Sequence, residues 1–349
     1  RMNQNIPLTK QALSWVTLLR IGPTARGVLP FLLGAIIAWS QGYPLNWAVL
    51  LLSAVAVFCI MLMTFLINEY YDYEADITNK DFHSLSGGSR VLPLGLVPRR
   101  QVIVAAYALI PIVAIIGLVL YFYYETGPLT IPFGVLALFI GYFYTAKPIQ
   151  LSYRGLGEIA IWLSCGWLAT IIGYYLQTGH LDMVATLASI PGATSVFLVI
   201  LINEIPDIAS DSMVGKRNLA VRLGKEKTAL LYIALLLLCY AFMIAIIFFG
   251  IPKLTALLSL ILLPIIIWNI LSLRKKGSLD DAKALEGISL RTMLLDHLVT
   301  FIYIAAFIVA GLGSVEARYS DLVIIGILCF FILALEGLSV VCSNIIRRG

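Results

Sequence analysis

The sequence predicts an all-α fold, a polytopic membrane bundle of nine to ten transmembrane helices. Two four-helix repeats plus terminal helices are expected to surround a central cavity. Three observations carry this expectation. Of the 349 residues, 60% are hydrophobic and only 12% charged, with a mean hydropathy of +0.96; soluble domains carry about a quarter charged residues. Ten apolar stretches approach or exceed the roughly 20 residues that a helix needs to cross a bilayer core. A nine-residue pattern, Asn-Glu-x-x-Asp-x-x-x-Asp, occurs twice, each time closing a long apolar run: Asn68, Glu69, Asp72, Asp76, and again Asn203, Glu204, Asp207, Asp211.

Taken in order, residues 1–19 are polar with an amphipathic stretch around Ala12 to Leu19. They are expected to form a cytoplasmic or interfacial segment without a cleavable signal peptide. Spans are expected over 27–45, 48–70, 101–124, 128–146, 157–178, 184–206, 228–250, 253–273, 292–313 and 319–345. Residues 20–313 make the transmembrane domain, and 314–349 an extra transmembrane segment with a short tail. The loop from Ile77 to Arg100 is long for a bundle connection and contains Ser86-Gly87-Gly88-Ser89-Arg90, whose small residues let backbone amides approach an anion. Pro206 lies inside the second motif, where it removes a helix hydrogen bond and bends the chain.

Charge sets the orientation. Of the 24 lysines and arginines, all but Lys253 and Arg318 fall before span 1, in alternate loops, or after span 10. The positive-inside rule then places both termini in the cytoplasm of a multi-pass protein of a prokaryotic inner membrane. The net charge of +5 follows from this bias and needs no nucleic-acid partner; no protein partner is expected either. The five cysteines show no paired spacing and read as small hydrophobes.

The duplicated motif holds the chemistry. On a helix, positions i, i+4 and i+8 drift by only about 40° per step, so Asn68, Asp72 and Asp76 are expected on one face, as are Asn203, Asp207 and Asp211. Four spans separate the two parent helices, so both motifs reach the same, cytoplasmic, end. Carboxylates at a membrane edge repel one another and suggest a functional site. A hard cation such as Mg²⁺ relieves that repulsion, through a few carboxylates plus substrate phosphate oxygens. Basic residues gather at the same end: Arg20 and Arg26 before span 1, Arg90, Lys147 after Tyr144 at the end of span 4, Arg154, and Lys216 with Arg217. A cation-coupled transporter would carry acids near mid-span, reachable from both sides, and acids that only neutralise nearby basic residues leave the repeated spacing unexplained. A Mg²⁺-dependent enzyme acting on a lipid diphosphate uses every feature.

These motifs resemble those of the UbiA superfamily of intramembrane prenyltransferases, over most of residues 15–313. The family's Asn-Asp-x-x-Asp-x-x-x-Asp is matched by Asn68, Glu69, Asp72 and Asp76, with Glu69 in place of the usual Asp. Its second motif is matched by Asp207 and Asp211, and its Tyr-Thr-x-x-Lys element by Tyr144 to Lys147. The stretches Tyr153 to Glu158 and Gly215 to Gly224 look most like the menaquinone-pathway branch, which prenylates 1,4-dihydroxy-2-naphthoate. The family has nine spans, so the tenth is a departure. The resemblance implies prenyl transfer from a polyprenyl diphosphate to an aromatic acceptor through an allylic cation, with 4-hydroxybenzoate, homogentisate, a porphyrin or a lipid as other acceptors. It implies Mg²⁺ at Asp72 and Asp76 and again at Asp207 and Asp211, with Asn68 and Asn203 as neutral ligands. Arg20, Arg26, Arg90, Lys147, Arg154, Lys216 and Arg217 are then diphosphate contacts, and Tyr70, Tyr71, Tyr144 and Tyr174 candidates to face the cation.

Overall fold

The computed structural model describes residues 7–79, 88–312 and 319–348; Ser86 and Gly87 lie outside the described residues. Every regular element among those described is helical. The chain opens with α1 (Leu8–Leu19), whose C-terminal cap Arg20 is left-handed (φ 45°, ψ 48°). A 3₁₀ turn (Gly22–Thr24) leads into α2 (Ala25–Ser40), followed by α3 (Trp47–Tyr71), short α4 (Tyr73–Thr78), α5 (Arg99–Phe122) and α6 (Thr130–Phe143). The next span runs as α7 (Gly157–Ile161), a π-helical turn (Trp162–Leu168) and α8 (Ala169–Thr178). Then come α9 (Met183–Glu204), short α10 (Ile208–Met213) and α11 (Leu219–Leu223), α12 (Lys225–Ala245), α13 (Leu254–Ser259), α14 (Leu263–Arg274), α15 (Ala282–Leu312) and α16 (Tyr319–Arg348).

All ten apolar stretches read from the sequence are helical. Among the described residues, eight continuous helical stretches are long and apolar enough to cross a membrane. α6 has 14 residues, and α16 is apolar only over Val323–Leu335. Helix starts follow side-chain chemistry: Asn46, Asp182 and Asn218 cap α3, α9 and α11 by accepting from backbone amides at 3.2, 3.0 and 2.8 Å.

The bundle's axis is α2, buried along nearly its whole length against α8, α9, α3 and α15. Without a hydrophobic drive between helices in lipid, close approach depends on small residues. A Cβ on Gly34 would lie 1.9 Å from the Thr170 carbonyl oxygen, and one on Gly173 1.9 Å from that of Phe31. The α2 and α8 backbones are therefore in direct contact. Outward-facing Val104, Ile115, Leu118, Leu230, Leu238, Ile267 and Leu271 are exposed, which suits lipid rather than water.

The terminal segments are tied to this core. α1 packs on α3 and on α16, which also covers the 3₁₀ turn and part of α2. Trp47 donates its indole N–H to Asp321 at 3.1 Å, anchoring the start of α16 to the start of α3. Residues 8–19 thus form a helix docked on the bundle.

Candidate active site

Both acidic motifs sit where a long helix breaks. α3 ends at Tyr71, Asp72 takes φ −85° and ψ 3°, and α4 begins. α9 ends at Glu204, Asp207 takes φ −89° and ψ −3°, and α10 begins. The single helical face expected for each motif is therefore interrupted. Two i→i−4 bonds nonetheless bridge the first break, Asp72 N–H to Asn68 C=O at 2.8 Å and Asp76 N–H to Asp72 C=O at 2.9 Å. In the second copy Pro206 lies in the turn that ends the helix, as its missing N–H requires. The short helices α4 and α10 pack against each other, so one cleft receives both motifs.

That cleft has a volume of about 120 Å³ and is lined by Asn68, Asp72, Asp76, Asp207, Asp211, Lys216 and Arg20, among others. Three of the four motif aspartates, Asp72, Asp207 and Asp211, are oriented by a neutral donor or a cation. Tyr153 donates to Asp72 at 2.8 Å, Asn79 to Asp207 at 2.7 Å and Asn218 to Asp211 at 2.9 Å. The Lys216 ammonium lies 3.2 Å from Asp211 and 3.8 Å from Asp72, bridging the two motifs. Arg90 donates to the Asp76 carbonyl. Gly88 (φ +71°) reaches Asp76 so closely that a Cβ there would lie 2.1 Å from its carboxylate; only glycine fits.

Glu69 is not in the position of a free ligand. Its Oε1 accepts from Arg20 at 2.7 Å and from the Ser89 amide at 2.8 Å, and its Oε2 from the Ser89 hydroxyl at 2.6 Å. The left-handed turn at Arg20 aims the guanidinium at this buried carboxylate and brings it to the cleft rim.

Electrostatics follow from crowding. Burial, reinforced by Glu69 and Asp72, raises the Asp76 carboxyl well above the usual range. Burial raises Asp211 too, against the pull of Lys216. Lys216 loses hydration on burial, yet Asp72 and Asp211 outweigh that loss and hold it protonated. Burial and the adjacent Asp72 push the Tyr153 phenol up, so it stays a donor.

A hard cation suits this donor set. The Asn68 side-chain oxygen, in the cleft lining, is buried without a hydrogen-bond partner, as is that of Asn203, which lies outside the lining; a buried oxygen left so is costly unless something else coordinates it. Among the described residues no three or more Asp, Glu, His or Cys converge tightly enough to hold an ion unaided. Mg²⁺ fits such a site when phosphate oxygens complete its shell.

Below the acidic cleft lies an apolar cavity of about 80 Å³, with Gly27, Met61, Tyr144 and Cys165 among its walls. Thr64 and Phe65 of α3 line this cavity one helical turn before Asn68 and Glu69 line the cleft, so the two chambers adjoin along α3.

Several expected residues lie elsewhere. Lys147, Arg154 and Arg217 are exposed and outside the cleft lining. Arg154 donates to the Pro148 carbonyl at 3.1 Å. Arg26 points into the bundle, 3.6 Å from Asp296. Tyr70 carries the Arg99 guanidinium at 4.9 Å and Tyr71 lies edge-on to it at 5.2 Å. Tyr174 donates to Gln41 at 2.7 Å at the other end of α2. Only Tyr144 of the four tyrosines lines the apolar cavity. Sequence reasoning missed Tyr153, Asn79 and Asn218 as carboxylate partners. All three stood within stretches singled out for another reason, Asn79 in the long loop from Ile77 to Arg100, but nothing in the sequence marked them as carboxylate partners.

Fold and site define a polytopic membrane protein whose acidic and basic groups meet at one end of an apolar bundle. Residues 28–294 match the UbiA prenyltransferase family, and the chain belongs to that family. It is similar to a 1,4-dihydroxy-2-naphthoate octaprenyltransferase of Bacillus subtilis (strain 168), 27% identical over 226 residues, 64% of this chain and 70% of the relative. It is also similar to the enzyme so named in Mycobacterium tuberculosis, 30% identical over 190 residues, 54% of this chain and 63% of the relative. Among solved structures, a UbiA homologue from Archaeoglobus fulgidus bound to GPP and Mg²⁺ shares the fold (TM-score 0.53, 18% identity, 84% of this chain and 99% of that one). The protein is a prenyltransferase of the membrane.

Proposed function

We propose that the chain transfers a prenyl group from a polyprenyl diphosphate to 1,4-dihydroxy-2-naphthoate, releasing pyrophosphate at the cytoplasmic face. The observation that carries this reading is an acidic, cation-lined cleft next to an apolar cavity along one helix: Thr64 and Phe65 of α3 line the cavity, and Asn68 and Glu69, a turn further on, line the cleft. The names of the two relatives support the acceptor, and the GPP and Mg²⁺ in the homologue's structure support the donor and the ion. The basic loops support the orientation.

Asp72 and Asp76 would hold one Mg²⁺ and Asp207 and Asp211 another, with Asn68 and Asn203 offering neutral oxygens. Bound there, Mg²⁺ draws negative charge from the diphosphate and makes it a better leaving group. The chain's own residues do the rest. Tyr153, Asn79 and Asn218 keep the carboxylates in place before substrate arrives. Lys216 and Arg20 supply positive charge fixed in advance, where preorganised charges favour a transition state most. The apolar cavity takes the prenyl chain and excludes the water that would quench an allylic cation. Tyr144 offers its ring face to that cation, a contact of roughly 1–2 kcal/mol when desolvated. The acceptor ring attacks the terminal carbon, the carbon–oxygen bond to diphosphate breaks, and loss of a proton from the ring restores aromaticity. Asp72 or a diphosphate oxygen takes that proton.

The test is Mg²⁺-dependent pyrophosphate release from geranylgeranyl diphosphate with a panel of aromatic acceptors. Wild type is compared with Asp72→Ala and Asp207→Ala. Release that needs Mg²⁺, the naphthoate and both carboxylates is expected. Release with a different acceptor alone would replace the naphthoate, and release indifferent to both substitutions would overturn the site.

A further inference from the structure

The hairpin of α14 and α15 carries an arginine on its lipid side that neither chamber uses. Arg291, in α15, is half-buried and outside both linings. Its guanidinium stacks over the ring of Trp268 at 4.5 Å, and that residue is 61% exposed. Ile267 and Leu271 on α14, and Leu290 and Leu294 on α15, are exposed as well. Among the described residues no carboxylate, Glu286 included, lies within ion-pair distance of Arg291. An intramembrane charge is expensive and by default marks a site with a partner to be named.

The guanidinium is braced from inside the bundle. Its Nε donates to the Asn269 side-chain oxygen at 2.8 Å and its Nη2 to the Ser272 hydroxyl at 3.1 Å. Asn269 is fully buried, and its amide nitrogen donates to Tyr232 at 2.9 Å and to Thr292 at 3.3 Å. Tyr232 and Thr292, also fully buried, join their hydroxyls at 2.6 Å. Helices α12, α14 and α15 thus share one fixed polar network whose outermost member is a cation. A guanidinium has five N–H donors; two are engaged here, and among the described residues neither N–H of Nη1 meets an acceptor.

The space beside Nη1 is open. Gly287 lies one turn earlier on α15, and a Cβ there would lie 3.4 Å from Nη1 with no other neighbour within 4 Å. Helical side chains lean toward the N-terminus, so the cation leans toward the α14–α15 connection. Arg274, Lys275, Lys276 and Lys283 are exposed there. Two acids of the connection are engaged, Asp280 with Lys225 at 2.6 Å and Asp281 with the Lys283 amide at 2.9 Å. The 31 residues of α15 reach about 46 Å, beyond the roughly 30 Å of a hydrocarbon core. With α15 centred on that core, Gly287 and the guanidinium sit at its edge, where lipid phosphates lie.

We propose that Arg291, braced by Asn269, Ser272 and Trp268, binds the phosphate of an anionic phospholipid whose acyl chains lie along α14 and α15. Gly287 supplies the room for the phosphate. The basic connection favours a headgroup of net negative charge, because the ammonium of a zwitterionic lipid meets the same cations.

Trp268 reports on the site directly. Full-length protein in neutral detergent is titrated with phosphatidylglycerol or phosphatidylcholine, each brominated on its acyl chains, and quenching of tryptophan fluorescence is read. Wild type is expected to be half-quenched by phosphatidylglycerol at about tenfold lower concentration, the scale of one hydrogen bond to a charged group. Trp268→Phe should remove the quenching that distinguishes the two lipids, and Arg291→Gln should erase the preference. Lys275→Gln with Lys276→Gln should keep most of it. Equal quenching by both lipids in wild type, or a preference unchanged in Arg291→Gln, would overturn the proposal. So would a preference lost in the double lysine variant, which would indicate a diffuse basic surface only. Inorganic phosphate that displaces the lipid at equal concentration would make the occupant a free anion and also overturn it. If Arg291→Gln loses its cooperative melting transition, Gly287→Leu decides: it keeps the charge but fills the space beside Nη1. A lost preference there supports the site, and a retained one counts against it.

Discussion

Glu69 offers the sharpest test of how the cleft is held. Its carboxylate accepts three bonds, from Arg20, the Ser89 amide and the Ser89 hydroxyl, at 2.6–2.8 Å. It thereby ties the turn after α1 and the chain at Gly88–Ser89 to the end of α3. Glu69→Gln preserves the shape: the amide oxygen can still accept from Arg20 and the Ser89 amide, and the amide nitrogen can donate to the rotated Ser89 hydroxyl. Only the charge is lost. Charged hydrogen bonds contribute about 1.5–3 kcal/mol and neutral ones about 0.5–1.5, so the exchange should cost about 2–3 kcal/mol in all. Glu69→Ala removes every acceptor and leaves Arg20 facing a buried gap, which should cost about 3–5 kcal/mol. The assay is thermal unfolding in detergent alongside kcat/KM for the prenyl diphosphate, with Arg20→Ala completing a double-mutant cycle. The ranking wild type, Gln, Ala is expected in both, with strong coupling between positions 20 and 69. If Glu69→Ala melts within about 0.5 kcal/mol of wild type, or positions 20 and 69 behave additively, this account of the cleft is wrong.

Other outcomes follow from the same geometry. Tyr153→Phe removes the donor to Asp72 and should lower kcat/KM about tenfold, the value of one hydrogen bond to a charged group, with the melting temperature nearly unchanged. Arg217→Ala and Lys147→Ala, both exposed and outside the cleft, should leave kcat/KM within about twofold of wild type, a surface-substitution effect; a tenfold fall would place them at the substrate. Burial raises the carboxyls of Asp76 and Asp211 in the metal-free protein. Ionising them therefore costs stability, so metal-free protein should lose melting temperature as pH rises from the ordinary carboxylate range through their raised values. Mg²⁺ displaces those protons, so the Mg²⁺-induced rise in melting temperature should grow with pH; a rise that shrinks would contradict the metal assignment. Gly173→Ala drives a methyl into the Phe31 carbonyl and should cost about 1–3 kcal/mol or more by overpacking, read as a lower melting temperature.

Much was legible in one dimension because membranes impose simple rules. Apolar runs of span length must satisfy their backbone internally, so they are helices, and all ten proved helical. The repeated Asn-Glu-x-x-Asp-x-x-x-Asp pattern was visible because its spacing is local, and an even number of intervening spans puts both copies at one end. Pro206 likewise announced the break after α9. The basic residues were another matter. Each had a correct end of the bundle but no direction, because direction is set by contacts distant in sequence. The Arg217 amide bonds to the Tyr153 carbonyl at 2.9 Å, and Lys216 enters the cleft while its neighbour stays outside. Arg20 and Arg26 are six residues apart, yet a left-handed turn sends one to Glu69 and the first turns of α2 send the other to Asp296. Local pattern determined which helices form and which of them carry acids; packing among α2, α3, α9 and α15 decided which cation meets which acid, since a long flexible side chain takes the partner that tertiary structure brings within reach.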